Sequence, residues 1–517
     1  MKKTYKVGSL FAGVGGICSG FKQAKYKNSD YELVWANEMD DYAARTYNFN
    51  FNHELIVGDI EKIVDLSIID NDINCYNDIL LSLGNLDFRM VCKIINSVNF
   101  ITKEDFQTLV NNLNTLTEEE FKHHYGGIID NSDNEKISNK EKIFFKDILK
   151  EIENISFRDI VQLLNSLNFW KFDELKQLIK KINTLEEEDF KIYCEKCIKN
   201  LEEEKSLYEQ KQREILKNKI DVLNGGFPCQ AFSIAGDQKG FDDHRGNLFW
   251  SIINLVKLLE PIHGKPRVLL LENVKNLMSH DGGRTYQVIK SELENIGYII
   301  QEKVLNTMNF SHLPQNRERI YIVGFLNKKD AERFKLFDDL DNYFIHKNED
   351  ERIEDIKKII DCNINKENGK KYYYTKEKYP NYFLTEDEYM NIPEEKRKDV
   401  RINLNEQIAD EWQFYQIRRG MYVRKNMSNV CPTLTANMGT GGHNVPLIKV
   451  KDGIRKLTST ETFRLQGFPV GYGYELPGNF KNRPYPESQL YKQSGNAVSV
   501  PIIKLIAENI LKALDEQ

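Results

Sequence analysis

The chain has 517 residues, of which 40% are hydrophobic and 29% charged, values typical of globular proteins. A chain of this length is expected to contain more than one domain. No apolar run approaches the roughly 20 residues that span a bilayer, and the eight cysteines show no regular spacing. These features predict a cytoplasmic protein without a membrane segment or a disulfide framework. The net charge of −6 argues against a general nucleic-acid coat but allows a local basic cleft.

The first region, about residues 1–66, alternates strands with helices. The segment YKVGSLFAG predicts a strand that runs into a glycine turn, YELVWANEMD a second strand ending at Glu38, and HELIVGDI a third ending at Asp59. The turn is not a dinucleotide motif, because Cys18 stands where its third glycine belongs. Glu38 is placed to take ribose hydroxyls, and Asp59 could accept an adenine amino proton. Together these features predict a nucleoside cofactor without a pyrophosphate, and S-adenosylmethionine fits.

A helical insertion is predicted at about residues 67–218. NDILLSLGNLDFRMVCKIINSVNF aligns without gaps with KDILKEIENISFRDIVQLLNSLNF, which predicts tandem repeats at about 77–125 and 146–194. Residues 74–216 contain 20 Lys and Arg against 27 Asp and Glu, a net charge of −7, so the rest of the chain is near +1. An acidic module is a poor partner for phosphates. We therefore expect the insertion to contact a protein or to have a regulatory role.

The insertion also contains a CxxC pair, Cys194 and Cys197. A zinc site would need a second pair of cysteines or histidines at suitable spacing, and the nearest histidines lie far upstream. Two ordinary helix cysteines are the preferred interpretation, and no metal is expected.

Strand and helix patterns return at about residues 219–326. The segments KIDVLNGGFPC and PRVLLLENV are apolar strands that end in polar residues. With the three strands before the insertion, they predict an α/β fold with a doubly wound, mostly parallel sheet, whose ligands lie at the carboxyl ends of the strands. Cys229 follows its strand directly. A lone cysteine at such a turn usually only fills space, so the residue by itself does not establish a nucleophile.

The order of several segments along the chain resembles the C5-cytosine-specific DNA methyltransferases of bacterial restriction-modification systems. These segments are LFAGVGG, NEMD, GDI, GGFPCQAFSIAGDQKGFDDHRG, LLLENVKNL, LPQNRERIYIVG, RLQGFP and QSGNAVSV. The resemblance implies a Rossmann-like S-adenosylmethionine-dependent catalytic domain and a smaller target-recognition domain at about 327–455. The chain would return to the catalytic domain at about 456–517. The all-α insertion is unusual for this family.

The resemblance also implies a mechanism on double-stranded DNA. Cytosine C5 is a poor nucleophile, so a thiolate, Cys229, first adds to C6. Glu272 matches the family residue that protonates or hydrogen-bonds N3, and Arg317 and Arg319 match the arginines that hold O2. The target base must leave the duplex for this chemistry.

Further residues match cofactor and DNA contacts of the family. The implied cofactor contacts are Phe11, Gly13, Gly15, Gly16, Glu38, Met39, Asp59, Ile60, Pro228 and Asn496. Met39 stands where the family often has tryptophan, so weaker adenine stacking is expected. The candidate DNA contacts are Gln230, Ser233, Arg245, Arg418, Arg419, Arg424, Thr433, Leu434, Asn437 and Gly441.

Two alternatives remain open at this point. One is a tRNA cytosine methyltransferase of the same family, although its usual Cys-Phe-Thr signature is absent and the long recognition segment favours DNA. The other is a catalytically inactive regulatory homologue, against which the intact Cys229, Glu272 and Arg319 argue. The preferred prediction is a monomeric, nucleoid-associated bacterial enzyme that protects host DNA.

Overall fold

A computed structural model describes residues 2–85, 88–97, 109–112, 114–115, 117–120, 123, 157–168, 172–227, 248–397, 400–418, 422–440 and 444–515. The chain divides into two compact units. The first, called the catalytic unit below, comprises Met1–Val64 and Glu214–Gln517, and the second, called the helical unit, comprises Asp65–Arg213. The finer boundaries near residues 66, 218, 326 and 455 stay predictions.

A seven-stranded sheet forms the centre of the catalytic unit. Its strands are β1 (Lys3–Leu10), β2 (Ser29–Glu38), β3 (Glu54–Val57), β4 (Val222–Gly226), β5 (Val268–Val274), β6 (Ile299–Asn306) and β7 (Glu318–Phe325). Their order is β3-β2-β1-β4-β5-β7-β6, with β1 to β5 parallel and β7 antiparallel to both neighbours. The predicted doubly wound, mostly parallel sheet is confirmed. The strand order reverses between β1 and β4, which is where such sheets bind ligands.

The central strands β4 and β5 are buried at consecutive residues rather than at alternate ones, which is typical of a parallel sheet with helices on both faces. The helices of the catalytic unit are α1 (Gly16–Gln23), α2 (Asp41–Asn48), α3 (Ile60–Val64), α9 (Leu248–His263), α10 (Arg284–Asn295), α11 (Thr307–Phe310), α12 (Lys328–Arg333), α13 (Glu349–Ile359), α14 (Glu386–Met390), α15 (Leu404–Gln407), α16 (Ser459–Leu465), α17 (Glu487–Asn496) and α18 (Val500–Asp515). Ile502 and Ile506 of α18 share a core with Tyr5 and Val7 of β1. The C-terminal helix thus completes the core that the first strand begins.

A second, antiparallel sheet lies in the predicted target-recognition region, about residues 327–455, which is called the recognition segment below. It contains β8 (Phe414–Arg418), β9 (Tyr422–Lys425), β10 (Leu447–Val450) and β11 (Gly453–Lys456), in the order β11-β10-β8-β9. A short hairpin, β12 (Asn479–Phe480) with β13 (Arg483–Pro484), follows. Phe414 and Leu434 share one buried cluster with Leu465 of α16 and Tyr491 of α17. The recognition segment therefore has a core in common with the C-terminal part of the catalytic unit.

The helical unit contains α4 (Ser67–Asn85), α5 (Phe88–Ser97), α6 (Phe157–Asn168), α7 (Phe172–Ile182) and α8 (Glu187–Leu216) among its described residues. The repeat alignment shifts by 69 residues, so Asn96 corresponds to Asn165 and Asn114 to Asn183. Asn96 and Asn183 exchange two side-chain hydrogen bonds of 2.8 and 2.6 Å. Asn165 and Asn114 exchange two of 2.9 and 2.8 Å. The described parts of the two repeats are thus joined by a matching pair of reciprocal contacts.

Among the described residues, no helix is long and apolar enough to cross a bilayer. The same residues contain no group of three or more His, Cys, Asp or Glu side chains that could hold a metal ion.

Candidate active site

A cleft of about 680 Å³ opens at the carboxyl ends of the central strands. This volume lies in the range of small-molecule and cofactor sites. Its lining includes most of the predicted cofactor residues and three of the predicted catalytic residues: Phe11, Gly13, Gly16, Glu38, Met39, Asp59, Ile60, Asn496, Glu272, Arg317 and Arg319. Residues separated by most of the chain thus meet at one site.

The turn after β1 forms one wall of this cleft. Phe11 has a positive φ of 53°, which is uncommon for a bulky residue and often marks a functional site. Gly15 also has a positive φ, of 83°, and a Cβ there would lie 2.2 Å from the Phe51 ring. Gly15 is therefore required for the turn itself, although it is not among the lining residues.

Glu38 anchors that turn from the end of β2. One carboxylate oxygen accepts the N–H of Gly13 at 2.7 Å, and the other accepts the N–H groups of Met39 and Asp40 at 2.8 and 2.7 Å. An ionised carboxylate has about four acceptor sites. Glu38 therefore keeps room for one further donor, as the predicted ribose contact requires.

Asn37, which sequence reasoning missed, holds the ends of β2 and β3 together. It is buried and donates to the carbonyls of Ile56 and Gly58 at 3.0 and 2.9 Å. Asp59 follows Gly58 directly and lines the cleft. Its carboxylate accepts the N–H of Glu61 at 3.0 Å. The position of Asn37 next to Glu38 is the only sequence feature that could have indicated this role. A single amide in a strand has no distinctive sequence pattern.

The predicted acid, Glu272, lies near the end of β5 and is 8% exposed. Arg319 Nε is 3.1 Å from one of its oxygens, and a Cβ on the paired residue Gly226 would lie 3.2 Å from the other. Burial raises the pKa of Glu272 above its usual range, although Arg319 and Arg317 act in the opposite direction. A carboxyl that keeps its proton can serve as a donor or general acid.

Arg317 has different surroundings from Arg319. Only 2% of it is exposed, and its guanidinium donates to the carbonyls of Leu434, Gly495 and Ala497 at 3.0, 3.2 and 2.5 Å. Burial, followed by repulsion from Arg319, lowers the pKa of Arg317 to about 9. The two arginines predicted to bind cytosine therefore have different partners: Arg317 contacts backbone carbonyls, and Arg319 contacts Glu272.

The predicted nucleophile lies outside the described residues, as do Pro228, Gln230, Ser233 and Arg245. Phe227, two residues before Cys229 in the sequence, lines the cleft. Its carbonyl accepts a hydrogen bond of 2.9 Å from Asn273 of β5. The described end of β4 is therefore held beside Glu272.

The predicted DNA contacts also divide into two groups. Arg424 donates to Gln416 at 2.9 Å, Arg418 to Asn444 at 3.4 Å, and Asn444 to Asn437 at 3.3 Å. These side chains lie on or beside β8 and β9. Arg419 and Gly441 lie outside the described residues.

Thr433 and Leu434 differ from these polar residues. The Thr433 hydroxyl donates to the Asn316 carbonyl at 2.7 Å, and Leu434 is 1% exposed. A hydrophobic side chain in the core cannot present itself to a DNA groove, so the expected DNA contact by the Leu434 side chain is corrected. The recurring Thr-Leu pair instead connects the recognition segment to Asn316 and Arg317, the two residues directly before β7.

The sheet order and the cleft with its nucleoside-type carboxylates define a class, the S-adenosylmethionine-dependent methyltransferases. The model of the C-5 cytosine-specific DNA methylase family matches residues 5–82 and 180–512. The chain belongs to this family. Its activity is DNA (cytosine-5-)-methylation, with S-adenosylmethionine as the methyl donor. The predictions of family, enzyme class and cofactor are confirmed, and residues 83–179, which the family model leaves unmatched, lie inside the helical unit.

Two type II methyltransferases support this assignment. The type II methyltransferase M.Bsp6I of Bacillus sp. (strain RFL6) is 44% identical over 296 residues, which cover 57% of this chain and 80% of that protein. The type II methyltransferase M.HaeII of Haemophilus aegyptius is 35% identical over 295 residues, covering 57% and 75%. The solved methyltransferase EhMeth of Entamoeba histolytica aligns over 100% of both chains with a TM-score of 0.47 and 14% identity.

Proposed function

We propose that this chain methylates C5 of a cytosine within a short specific sequence of double-stranded DNA, after flipping that base out of the helix. The observation that carries the proposal is the single cleft lined by both Glu38 and Glu272. A cytosine inside a duplex cannot reach such a cleft, so it must leave the stack.

The proposed chemistry begins with Cys229, whose thiolate forms a bond to cytosine C6. Glu272 gives its proton or a hydrogen bond to N3, which stabilises the charge that enters the ring. When bound, S-adenosylmethionine would supply an electrophilic methyl group to C5, with its sulfonium S–CH3 bond breaking to leave S-adenosylhomocysteine. A base then removes the C5 proton, and the S–C6 bond breaks to release Cys229. Arg319, ion-paired with Glu272, orients the base through O2.

The cofactor contacts are proposed for residues that line the cleft, together with Gly15 and Pro228. Glu38 accepts from the ribose hydroxyls with its remaining site, and Asp59 accepts from the adenine amino group. Phe11 and Met39 cover the adenine faces, and Met39 is 67% exposed, as a residue awaiting a ligand can be. The other members of the proposed contact set are Gly13, Gly15, Gly16, Ile60, Pro228 and Asn496.

We propose that polar side chains on β8, on β9 and in the following loop recognise the DNA sequence. Arginine and asparagine side chains are the usual partners of guanine and adenine edges. The set comprises Arg418, Arg419, Arg424, Thr433, Asn437 and Gly441, together with Gln230, Ser233 and Arg245.

The biological role that we propose is protection of host DNA in a restriction-modification system, because type II methyltransferases are among the relatives. We further propose that the enzyme acts as a monomer at the bacterial nucleoid. Its acidic helical unit contacts a protein partner rather than DNA.

Covalent trapping tests the proposed mechanism. DNA with 5-fluorocytosine at the target is expected to form a stable adduct with the wild-type chain, because fluorine cannot leave as a proton does. Cys229→Ser is expected to abolish the adduct while S-adenosylmethionine still binds. An adduct formed by Cys229→Ser at the wild-type rate would contradict the assignment of the nucleophile.

A further inference from the structure

Arg317 joins three backbone carbonyls that belong to two distant segments of the chain. Leu434 lies in the recognition segment, whereas Gly495 and Ala497 lie at the end of α17. The backbone N–H of Arg317 itself donates to Asn306 at 3.1 Å. The guanidinium is the group that connects these segments, because its fixed fork of donors can reach several carbonyls at once.

A buried cation is costly unless its surroundings stabilise it. Two of the three carbonyls lie at the C-terminal end of α17, where the helix dipole is negative and favours a cation. The segment 434–436 also lies directly against this helix end, since a Cβ on Gly495 would be 2.3 Å from the carbonyl carbon of Thr435. Arg317 thus occupies the point where the recognition segment and α17 meet.

The same helix end contributes to the cleft. Gly495, Asn496 and Ala497 line it together with Ala436 of the recognition segment. Gln315, two residues before Arg317 and fully buried, donates to the Leu465 carbonyl at 2.8 Å. These contacts hold the recognition segment in one place relative to the cofactor side of the cleft.

Arg319 lies on β7, and Arg317 directly precedes the first residue of that strand, Glu318. Arg319 Nε is 3.1 Å from a carboxylate oxygen of Glu272. A shift of β7 or of the recognition segment would therefore change the position of the proposed base-reading side chains on β8 and β9 relative to Glu272.

We propose that Arg317 is a positioning residue that couples target recognition to methyl transfer, rather than a contact to the cytosine. This inference rests on the proposed function. It assigns to Arg317 the relative placement of the recognition segment, the end of α17 and the Glu272–Arg319 pair.

The test compares wild type with Arg317→Lys and Arg317→Met. Bisulfite sequencing of DNA from cells that express the wild-type chain first defines the methylated sequence. Single-turnover rates are then measured on a duplex with that sequence and on one with a single recognition base replaced. Arg483→Lys, an exposed site on β13, is the matched control, and thermal unfolding reports whether each variant folds.

We expect Arg317→Lys to lose about tenfold in discrimination between the two duplexes, because the rate on the correct duplex falls less than the rate on the altered duplex rises relative to it. Arg317→Met is expected to lose more discrimination than Arg317→Lys. A purely structural defect would reduce the amount of folded enzyme without changing the discrimination of the folded fraction. Equal losses of rate on both duplexes, with discrimination unchanged, would overturn the inference, because they indicate direct action on the cytosine.

If both Arg317 variants fail to fold, Gly495→Ala provides the same readout. Its Cβ displaces the segment at Thr435 without removing the guanidinium. Reduced discrimination in this variant supports the coupling, and unchanged discrimination overturns it. A wild-type chain that methylates no DNA cytosine would instead contradict the proposed function, so the two failures are distinguishable.

Discussion

The catalytic unit and the helical unit assemble their interiors from different kinds of contact. The cleft of the catalytic unit brings together Phe11 and Asn496, residues from opposite ends of the chain. The core of the helical unit instead contains equivalent positions of two repeats, such as Ile94 with Leu163 and Leu109 with Leu178. The chemistry thus depends on long-range packing, whereas the helical unit is built from one pattern used twice.

This contrast predicts that substitutions at the cleft affect catalysis strongly and that substitutions in the helical unit affect only its own stability. The largest effect is expected for Glu272→Gln, which removes the titrating acid and retains its shape. General acid–base groups contribute about 10²–10⁴-fold, so the single-turnover rate should fall by about that factor. A rate within about twofold of wild type would contradict the role of Glu272.

Glu272 also predicts a pH dependence of stability. Its pKa in the folded chain is raised by burial, so folding favours the protonated form. The associated stability is fully present below the unfolded pKa, about 4.3 for Glu, and is lost as pH rises through the folded pKa. Relative to wild type, Glu272→Gln should therefore gain free energy of unfolding at high pH compared with low pH, as measured by urea titrations. The same gain at both pH values would argue against a raised pKa.

Smaller effects are expected at the cofactor carboxylates. Glu38→Ala and Asp59→Ala should each weaken S-adenosylmethionine binding by about 1–3 kcal/mol, because buried donors lose their partners. Glu38→Ala should cost more, since it also removes the acceptor for the Gly13 N–H. Calorimetry measures both, with Asp70→Ala, which breaks the ion pair to Lys205 in the helical unit, as the control. Unchanged affinity in both Glu38→Ala and Asp59→Ala would show that the cofactor binds elsewhere.

In the helical unit, the reciprocal asparagine pairs predict matched effects. Asn96→Ala and Asn165→Ala should each lower the stability of this unit by about 0.5–1.5 kcal/mol, and by similar amounts because their contacts correspond. Asn114→Ala and Asn183→Ala should form a second matched set. Hydrogen exchange of the full chain provides the measurement, and no change in cofactor affinity is expected. Clearly unequal effects within either set would break the equivalence of the two repeats.

The smallest effect is expected for the methylated sequence when the helical unit is removed. A Gly/Ser linker in place of residues 67–212 retains Ile215, which is fully buried, and Leu216, whose carbonyl is 2.8 Å from the His263 ring nitrogen. Bisulfite maps for the deleted and full-length chains should show the same sequence, even if the rate falls. A folded deletion variant that methylates another sequence would show that the acidic unit reads DNA.

The sequence alone determined the fold class, the family and most of the cleft. Apolar strands ending in Glu38, Asp59 and Glu272 predict a doubly wound sheet because parallel strands place their carboxyl ends at one edge. The ordered motifs then indicated the enzyme class and the cofactor. The repeat was also visible, because a duplicated pattern needs no three-dimensional information.

Only the tertiary structure decided which groups these residues contact. Arg317 and Arg319 are indistinguishable in the sequence as two arginines of one motif, yet one holds backbone carbonyls and the other pairs with Glu272. Leu434 was expected at the DNA, but packing places it in the core. Backbone carbonyls are the same for every residue type, so a side chain that binds them leaves no pattern in the sequence. Such partners become known only when distant segments have been packed together.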